Sequence, residues 1–166
     1  MNQSSLKISF LETFDAYNDA IFRFCVVKIS NKELAEDLTQ ETFMRYWQSL
    51  VDGKEMTNTR SYLYTIANNL VIDWYRKKKA VSLEVLKDDG FEPQDTQALS
   101  IQQQAEFDEI LKTIDDLEEK DKEVLLLRFV EGLNPRDIAE IHNETVNAVS
   151  VRITRALEKV QKKLHI

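Results

Sequence analysis

The sequence predicts an all-α protein in which two small helical domains are joined by a flexible acidic linker. With three Gly and two Pro among 166 residues and 43% hydrophobic residues, the chain favours compact helical cores. Apolar residues recur at three- and four-residue steps rather than in strand-like alternation. A break in composition places the linker at residues 80–102, between domains at residues 1–79 and 103–166.

The first domain opens with a helix that is predicted over residues 5–29, where Phe10, Phe14 and other large apolar residues recur with helical spacing. The single cysteine, Cys25, lies in this apolar run and is predicted to be a buried structural thiol. The segment Ser30-Asn31-Lys32-Glu33 has the spacing of a capping box. It predicts the start of a second helix, which runs to about Leu50.

One face of this second helix is polar. It carries Asp37, Gln40, Glu41, Met44 and Gln48. Positions i, i+3 and i+4 are neighbours on a helix, so the two carboxylates and the Gln40 amide form one cluster. Two interpretations are open. The commoner is a solvated surface, and the other is a docking surface for a basic partner helix.

A third helix, RSYLYTIANNLVIDWYRKKK, follows a polar loop at residues 51–59 and is capped by Asn58 or Thr59. Two exposed rows are predicted on it: Tyr62, Asn69, Asp73 and Arg76, and beside them Tyr64, Asn68 and Tyr75. Rings stack on bases, amides read base edges and cations hold the backbone, so this pattern is typical of a surface for single-stranded nucleic acid. The alternative is a core helix with favourable cations at its C-terminus.

The distribution of charge matters more than the net charge of −7. Residues 59–80 and residues 145–166 each hold five cations and one carboxylate, a net charge of +4. Residues 81–121 hold thirteen carboxylates and three lysines, a net charge of −10. Attraction to phosphates acts within a Debye length of about 8–10 Å, so local charge decides it. Two basic patches separated by an acidic segment predict two contacts with nucleic acid.

The second domain is predicted to contain a helix from Gln103 to Leu117, followed by three more helices, of which the last two form a helix-turn-helix. Several residues predict the turns. Gly132 supplies a left-handed residue, Asn134 caps a short helix that starts at Pro135, and Thr145 caps a long final helix.

The final helix has an apolar stripe and a polar face. The stripe consists of Val146, Val149, Ile153, Ala156, Leu157, Val160 and Leu164. The opposite face carries Asn147, Val151, Thr154, Arg155 and Lys162, with Arg152 and Lys159 at its flank. Short polar side chains, a β-branched methyl and Arg suit the major groove of DNA. The alternative is the solvated face of an ordinary three-helix bundle.

No pattern indicates catalysis. His142 and His165 have no metal-ligand spacing with Cys25, and the sequence has no Gly-rich phosphate loop and no nucleophile elbow. We therefore predict no catalytic residue, no metal and no cofactor, and we expect His142 to be a surface or packing residue. The N-terminus lacks a signal-peptide pattern and no apolar stretch could span a bilayer, which favours a cytoplasmic protein.

Three segments carry a resemblance to a known family. They are AEDLTQETFMRYW, RSYLYTIANNLVIDWYRKKK and LEEKDKEVLLLRFVEGLNPRDIAEIHNETVNAVSVRITRAL. In this order and at this spacing they resemble bacterial sigma factors of the sigma-70 family, of the extracytoplasmic-function (ECF) group, which keep only the helical regions 2 and 4. The resemblance covers nearly the whole chain. It implies a factor that is not itself an enzyme, and that directs core RNA polymerase to promoters and assists their opening.

The resemblance also implies roles for particular residues. Asp37, Gln40 and Glu41 would dock on the β′ coiled coil of core RNA polymerase. Asn69, Asp73 and Arg76, together with the cations Lys77 and Lys78, would bind the minus-10 element, and the loop at residues 52–59 would receive a flipped base. The residues that would bind the minus-35 element are Ser150, Val151, Thr154, Arg155 and Lys159. Further implied partners are the polymerase β flap, promoter DNA and an anti-sigma factor.

Two departures from the family pattern affect the helix-turn-helix. Asn143 stands in the turn where many relatives have Gly, and Asn is the next best residue for a left-handed conformation. Ser150 and Val151 replace basic residues, so base contacts there are expected to be sparser and more apolar. Two rival interpretations are a helix-turn-helix regulator that binds duplex DNA without polymerase, and a protein-interaction module.

Overall fold

The structure is a computed structural model that describes residues 2–81 and 101–165. The described residues form helices and no strands. In chain order these are α1 (Gln3–Ile29), α2 (Lys32–Val51), α3 (Thr59–Val81), α4 (Ile101–Asp115), α5 (Glu119–Leu125), a π-helical segment (Leu126–Val130), α6 (Pro135–His142) and α7 (Val146–Leu164). The chain divides into two compact units, residues 1–91 and 92–166. The predicted all-α class with two helical units is confirmed.

The predicted linker, residues 80–102, lies mostly outside the described residues. Helix α3 continues to Val81, and α4 begins at Ile101, so each helix extends slightly into the predicted segment. None of the described helices is long and apolar enough to cross a membrane.

The turn between α1 and α2 differs in detail from the prediction. Asn31 caps α2, because its side-chain oxygen accepts a hydrogen bond of 3.0 Å from the amide of Leu34. Ser30 is not the capping residue. It adopts a left-handed conformation with φ of 58° and ends α1 by donating its amide to the carbonyl of Val26.

The first unit packs α1, α2 and α3 around one core. Its fully buried large side chains include Ile21 and Phe24 of α1, and Leu63 and Tyr64 of α3. An aromatic cluster joins α1 to α2. Its closest ring centroids are those of Phe14 and Phe43, 4.9 Å apart, and those of Phe10 and Trp47, 5.4 Å apart. Aromatic pairs at these distances are favourable beyond the apolar area that they bury.

The second row predicted on α3 is wrong for two of its three members. Tyr64 is 0% exposed and Asn68 is 4% exposed, whereas Tyr75 is 40% exposed. The hydroxyl of Tyr75 donates a hydrogen bond to the carbonyl oxygen of Lys28 on α1. The physical reason is that α3 packs against both α1 and α2, and this packing covers part of the row that was predicted to be exposed.

Cys25 is fully buried, as predicted, and burial raises the pKa of its thiol to about 11, while a hydrogen bond with Thr39 acts in the opposite direction. Only the thiolate reacts readily. We therefore expect the native chain at pH 8 to react with a soluble disulfide reagent about 100-fold more slowly than the chain unfolded in urea, given the ordinary thiol pKa. Equal rates in the two states, followed by absorbance, would contradict this burial.

The turns of the second unit match the predictions. Gly132 and Asn143 are left-handed, with φ of 70° and 52°. Asn134 accepts a hydrogen bond of 2.9 Å from the amide of Asp137, and Thr145 accepts one of 3.1 Å from the amide of Ala148. These caps fix where α6 and α7 begin.

The core of the second unit includes Leu127, Leu133 and Ile138, with Val149, Ile153 and Ala156 from α7. Leu157 and Val160 pack on a further cluster that Ala156 forms with Leu117 and Leu125. One member of the predicted stripe is misplaced. Val146, the first residue of α7, is 46% exposed, so the buried part of the stripe begins at Val149.

Candidate protein-docking and nucleic-acid interfaces

The polar face of α2 is exposed, as the sequence analysis expected. Asp37 and Gln40 are exposed, and Met44 is 65% exposed. Glu41 is partly buried and forms an ion pair of 3.0 Å with Arg45, one turn further along the helix. The structure therefore brings Asp37, Gln40 and Glu41 together on one accessible surface, with an apolar side chain beside them.

An apolar cleft of about 690 Å³ adjoins this face. It is lined by Lys7, Phe10, Leu11 and Phe14 of α1, and by Gln40, Phe43, Met44, Trp47 and Gln48 of α2. Sequence reasoning missed this cleft. The signal was present in the aromatic pairs Phe10/Phe14 and Phe43/Trp47, each with helical i, i+4 spacing, but such pairs are usually core. The cleft can receive an apolar side chain from a partner that contacts the polar face.

On α3, Asn69, Asp73 and Arg76 are all exposed, and their i, i+4 and i+7 spacing places them on one face. Lys77 and Lys78 are also exposed and extend this face toward the C-terminus of the helix. The Lys78 ammonium lies 4.8 Å from the centre of the Trp74 ring, a cation–π arrangement. Amide, carboxylate and cationic groups therefore share one surface, which can contact base edges and phosphates.

A second cleft, of about 660 Å³, lies beside the loop between α2 and α3. It is lined by Leu6 and Ser9 of α1, by Tyr46, Leu50 and Val51 of α2, and by Gly53, Lys54, Glu55, Met56, Thr57 and Thr59. Gly53 has φ of 74°, a left-handed conformation, and turns the chain as α2 ends. The loop is held at its base by the Tyr62 hydroxyl, 2.6 Å from the Ser49 hydroxyl, with Lys54 over the Tyr62 ring. The lining therefore mixes polar groups of the loop with apolar side chains of α1 and α2.

Helix α7 presents Val151, Thr154 and Arg155 to solvent, and Ser150 is partly buried beside them. The Thr154 hydroxyl donates a hydrogen bond of 3.1 Å to the backbone carbonyl of Ser150. Its proton is therefore satisfied, and its oxygen and methyl group remain for an outside partner. Lys159, which the sequence analysis grouped with these residues, has its ammonium 2.7 Å from a carboxylate oxygen of Asp121.

Several charged partners within the second unit were not foreseen from the sequence. His142 Nε2 lies 2.8 Å from Glu123 Oε1, and both side chains are about one-tenth exposed, which agrees with a packing role for His142. Asp121 and Glu144 pair with cations of α7. In the described ranges, 2–81 and 101–165, no group of three or more His, Cys, Asp or Glu residues is arranged to hold a metal ion.

Comparisons with known proteins agree with this architecture. The family model of Sigma-70 region 2 matches residues 13–81, and that of Sigma-70, region 4 matches residues 107–160. The ECF RNA polymerase sigma factor SigW of Bacillus subtilis is 31% identical over 94% of this chain and 89% of its own length. RNA polymerase sigma factor YlaC of the same organism is 26% identical over 92% of this chain and 90% of its own length.

Among solved structures, the sigma factor RpoE of Bartonella quintana, in complex with the anti-sigma factor NepR, has a similar fold. The TM-score is 0.74 with 23% identity, over 95% of this chain and 98% of that chain. CnrH, in complex with the cytosolic domain of CnrY, has a TM-score of 0.70 with 21% identity, over 96% of this chain and 89% of that chain.

Proposed function

Because the chain belongs to the sigma-70 family, in its ECF group, and acts in promoter-specific transcription initiation, we propose that three of its surfaces divide this work. The polar face of α2 binds polymerase, α3 and the neighbouring loop bind one promoter element, and α7 reads the other. The family matches confirm the resemblance to the sigma-70 family that the sequence indicates. The rival interpretation as a regulator that acts without polymerase is not favoured.

The proposed polymerase contact is the face of Asp37, Gln40 and Glu41, which would dock on the β′ coiled coil. The adjoining apolar cleft supports this proposal, because protein interfaces combine a polar rim with a buried apolar anchor. The second unit would contact the β flap, as the family resemblance implies. We place this activity in the cytoplasm, where bacterial RNA polymerase works.

The proposed minus-10 contact combines the row Asn69, Asp73 and Arg76 with the basic residues Lys77 and Lys78. The cleft beside the loop would hold a base that has left the duplex. A site that binds only the unpaired base shifts the equilibrium between closed and open DNA by its differential affinity. Promoter opening by this chain would therefore be base capture rather than catalysis.

The proposed minus-35 contact is made by α7 in the major groove, through Ser150, Val151, Thr154 and Arg155. Arg is the side chain best suited to bidentate contact with guanine, and a Val methyl suits the methyl group of thymine. An anti-sigma factor is a further proposed partner. It is supported by the family and by the fold shared with RpoE, which was solved with NepR.

One experiment tests the proposed function as a whole. Core RNA polymerase, purified chain and genomic fragments are combined in run-off transcription. We expect discrete transcripts that core enzyme alone does not produce, and co-elution of the chain with core polymerase. A chain that binds duplex DNA but neither co-elutes with core polymerase nor alters its transcripts would support the stand-alone regulator instead.

Arg155→Ala is expected to relax sequence discrimination at the minus-35 element. Losing a base contact costs about 1–3 kcal/mol of discrimination, or about 5- to 150-fold, at the base pair concerned. The measurement compares holoenzyme binding to the promoter identified by run-off transcription with binding to single-base variants of it. Lys162→Ala is the comparison variant, because the loss of a phosphate contact weakens binding to all sequences alike. Equal weakening at every sequence by Arg155→Ala would assign Arg155 to phosphate.

A further inference from the structure

Asp121, in the first turn of α5, is a buried carboxylate that faces the flank of α7. The residue is 5% exposed. Its Oδ2 accepts a hydrogen bond of 2.7 Å from the Lys159 ammonium, and its Oδ1 lies 3.9 Å from the Arg152 guanidinium. Lys159 follows Arg152 by seven residues, about two helical turns, so one carboxylate engages two turns of α7.

The pairing extends to the turn of the helix-turn-helix. Arg152 also lies 3.7 Å from Glu144, which in turn lies 3.9 Å from Lys120 of α5. At the far end of α7, Lys163 lies 3.9 Å from Asp116. Of the five cations in residues 145–166, only Arg155 and Lys162 make no ion pair with the part of the chain that the structure describes.

Physical chemistry gives a reason for these pairs to persist. A buried carboxylate that loses its cation is left unpaired in a poorly solvated site, which is strongly unfavourable. The hydrogen bond with Asp121 and the attraction of its charge raise the pKa of Lys159 above its ordinary value. Both observations indicate that the Lys159 ammonium is held by the protein in the absence of DNA.

We propose that Asp121 is a specificity-determining residue, which withholds Lys159 and Arg152 from DNA phosphates and leaves the duplex to meet the cations of α7 that Asp121 does not hold, Arg155 and Lys162 among them. This inference rests on the proposed function of α7 in DNA binding. It changes the part assigned to Lys159, which the sequence analysis had grouped with the DNA-binding residues. Phosphate contacts strengthen binding to every sequence equally. Withholding two of them lowers non-specific affinity and leaves base contacts intact, which raises the ratio of specific to non-specific binding.

The first test compares two lysines of the same helix by the salt dependence of binding. Binding of the full chain to a random-sequence duplex of about 20 base pairs is measured by fluorescence anisotropy, and log K is plotted against log salt concentration. Each phosphate contact contributes a slope of about −0.9. We expect Lys162→Gln to reduce the magnitude of the slope by about 0.9, and Lys159→Gln to leave it unchanged. Equal reductions by both variants would overturn the inference.

The second test releases the cations. Asp121→Asn keeps the shape of the side chain but removes its charge, and we expect the slope to steepen by about 0.9 to 1.8 and non-specific affinity to increase. Adding Lys159→Gln to this variant should reverse about 0.9 of that change. A residue with a merely structural role would give weaker binding when replaced, which is the opposite sign. Circular dichroism checks that the variant is folded, and the Lys159/Lys162 comparison decides the question if it is not.

The third test does not involve DNA, so it separates this inference from the proposed function. Lysine acylation of the full chain at pH 9 is followed by mass spectrometry. We expect Lys159 to react more slowly than Lys162 in the native chain. In the Asp121→Asn variant, we expect the two lysines to react at similar rates. Similar rates in both proteins would overturn the pairing itself. A different result would separate the two proposals: Lys159 is acylated slowly, but neither Arg155→Ala nor Lys162→Gln affects binding to any duplex. That result would overturn the proposed function of α7, and with it the role of Asp121 in specificity.

Discussion

Asp37→Lys is expected to lower the affinity of the chain for core RNA polymerase by about thirtyfold or more, since like charges that face each other across an interface cost several kcal/mol. The expected loss of affinity follows from the proposed binding partner, which is a basic helix. Asp37 is exposed on the polar face of α2, so a lysine there leaves the fold intact and reverses the charge that the partner meets. The measurement is equilibrium binding of labelled chain to core polymerase at two ionic strengths.

Glu12→Lys is the matched control for this prediction. Glu12 is exposed on α1, and it lines neither the apolar cleft nor the cleft beside the loop. Glu12→Lys changes the net charge of the same unit by the same amount as Asp37→Lys, so any general effect of charge on association appears in both variants. If Asp37→Lys and Glu12→Lys bind core polymerase equally well, the polar face of α2 is not the docking surface.

Most of the local structure follows from short-range rules, and these were readable in the sequence. A side-chain oxygen at Asn134 or Thr145 satisfies an amide three residues ahead, whatever the rest of the chain does. Likewise, Gly132 suits a left-handed position because it has no Cβ atom, and Asn143 suits one because its short polar side chain can form a local hydrogen bond. Such features depend on four or five consecutive residues, so the beginnings and ends of α6 and α7 could be placed without knowledge of the tertiary structure.

The errors occur where two helices must be known at once. The spacing of Tyr64 matches that of polar neighbours and predicts exposure, but the packing of α3 against α1 and α2 buries it. The pairing of Asp121 with Lys159 spans 38 residues, and no local pattern indicates it. The apolar cleft of the first unit is also a product of two helices. Amphipathic patterns show which residues avoid water, but they do not show which partner covers them.

The candidate site was predictable to a different degree at each surface. Exposure of Asp37, Asn69 and Arg155 followed from helical periodicity alone, and the structure agrees. Their roles came from the resemblance to sigma factors, so their contacts with polymerase and DNA remain predictions. The availability of each cation could not be read from the sequence, because counting charges in residues 145–166 does not reveal which of them are already paired.

Tyr64→Ala is expected to destabilise the first unit by about 3–5 kcal/mol, the usual cost of removing a buried aromatic ring. Tyr64 is fully buried, and its ring centre lies 5.5 Å from that of Phe24 in an edge-to-face arrangement, so the substitution leaves a cavity between α1 and α3. Both tryptophans of the chain, Trp47 and Trp74, belong to the first unit. Urea unfolding followed by tryptophan fluorescence therefore reports on this unit without interference from the other.

Tyr75→Ala is the comparison that separates a core role from a nucleic-acid role. Tyr75 is 40% exposed, so less buried apolar area is lost, and we expect at most about half the destabilisation of Tyr64→Ala.

Phe at position 64 retains the ring, and Tyr64→Phe should restore most of the stability and of the transcription activity together. If Tyr64→Ala unfolds at the same urea concentration as the unchanged chain but fails to open promoters, then Tyr64 would be a base-stacking residue after all, and the packing of α3 between α1 and α2 would be wrong.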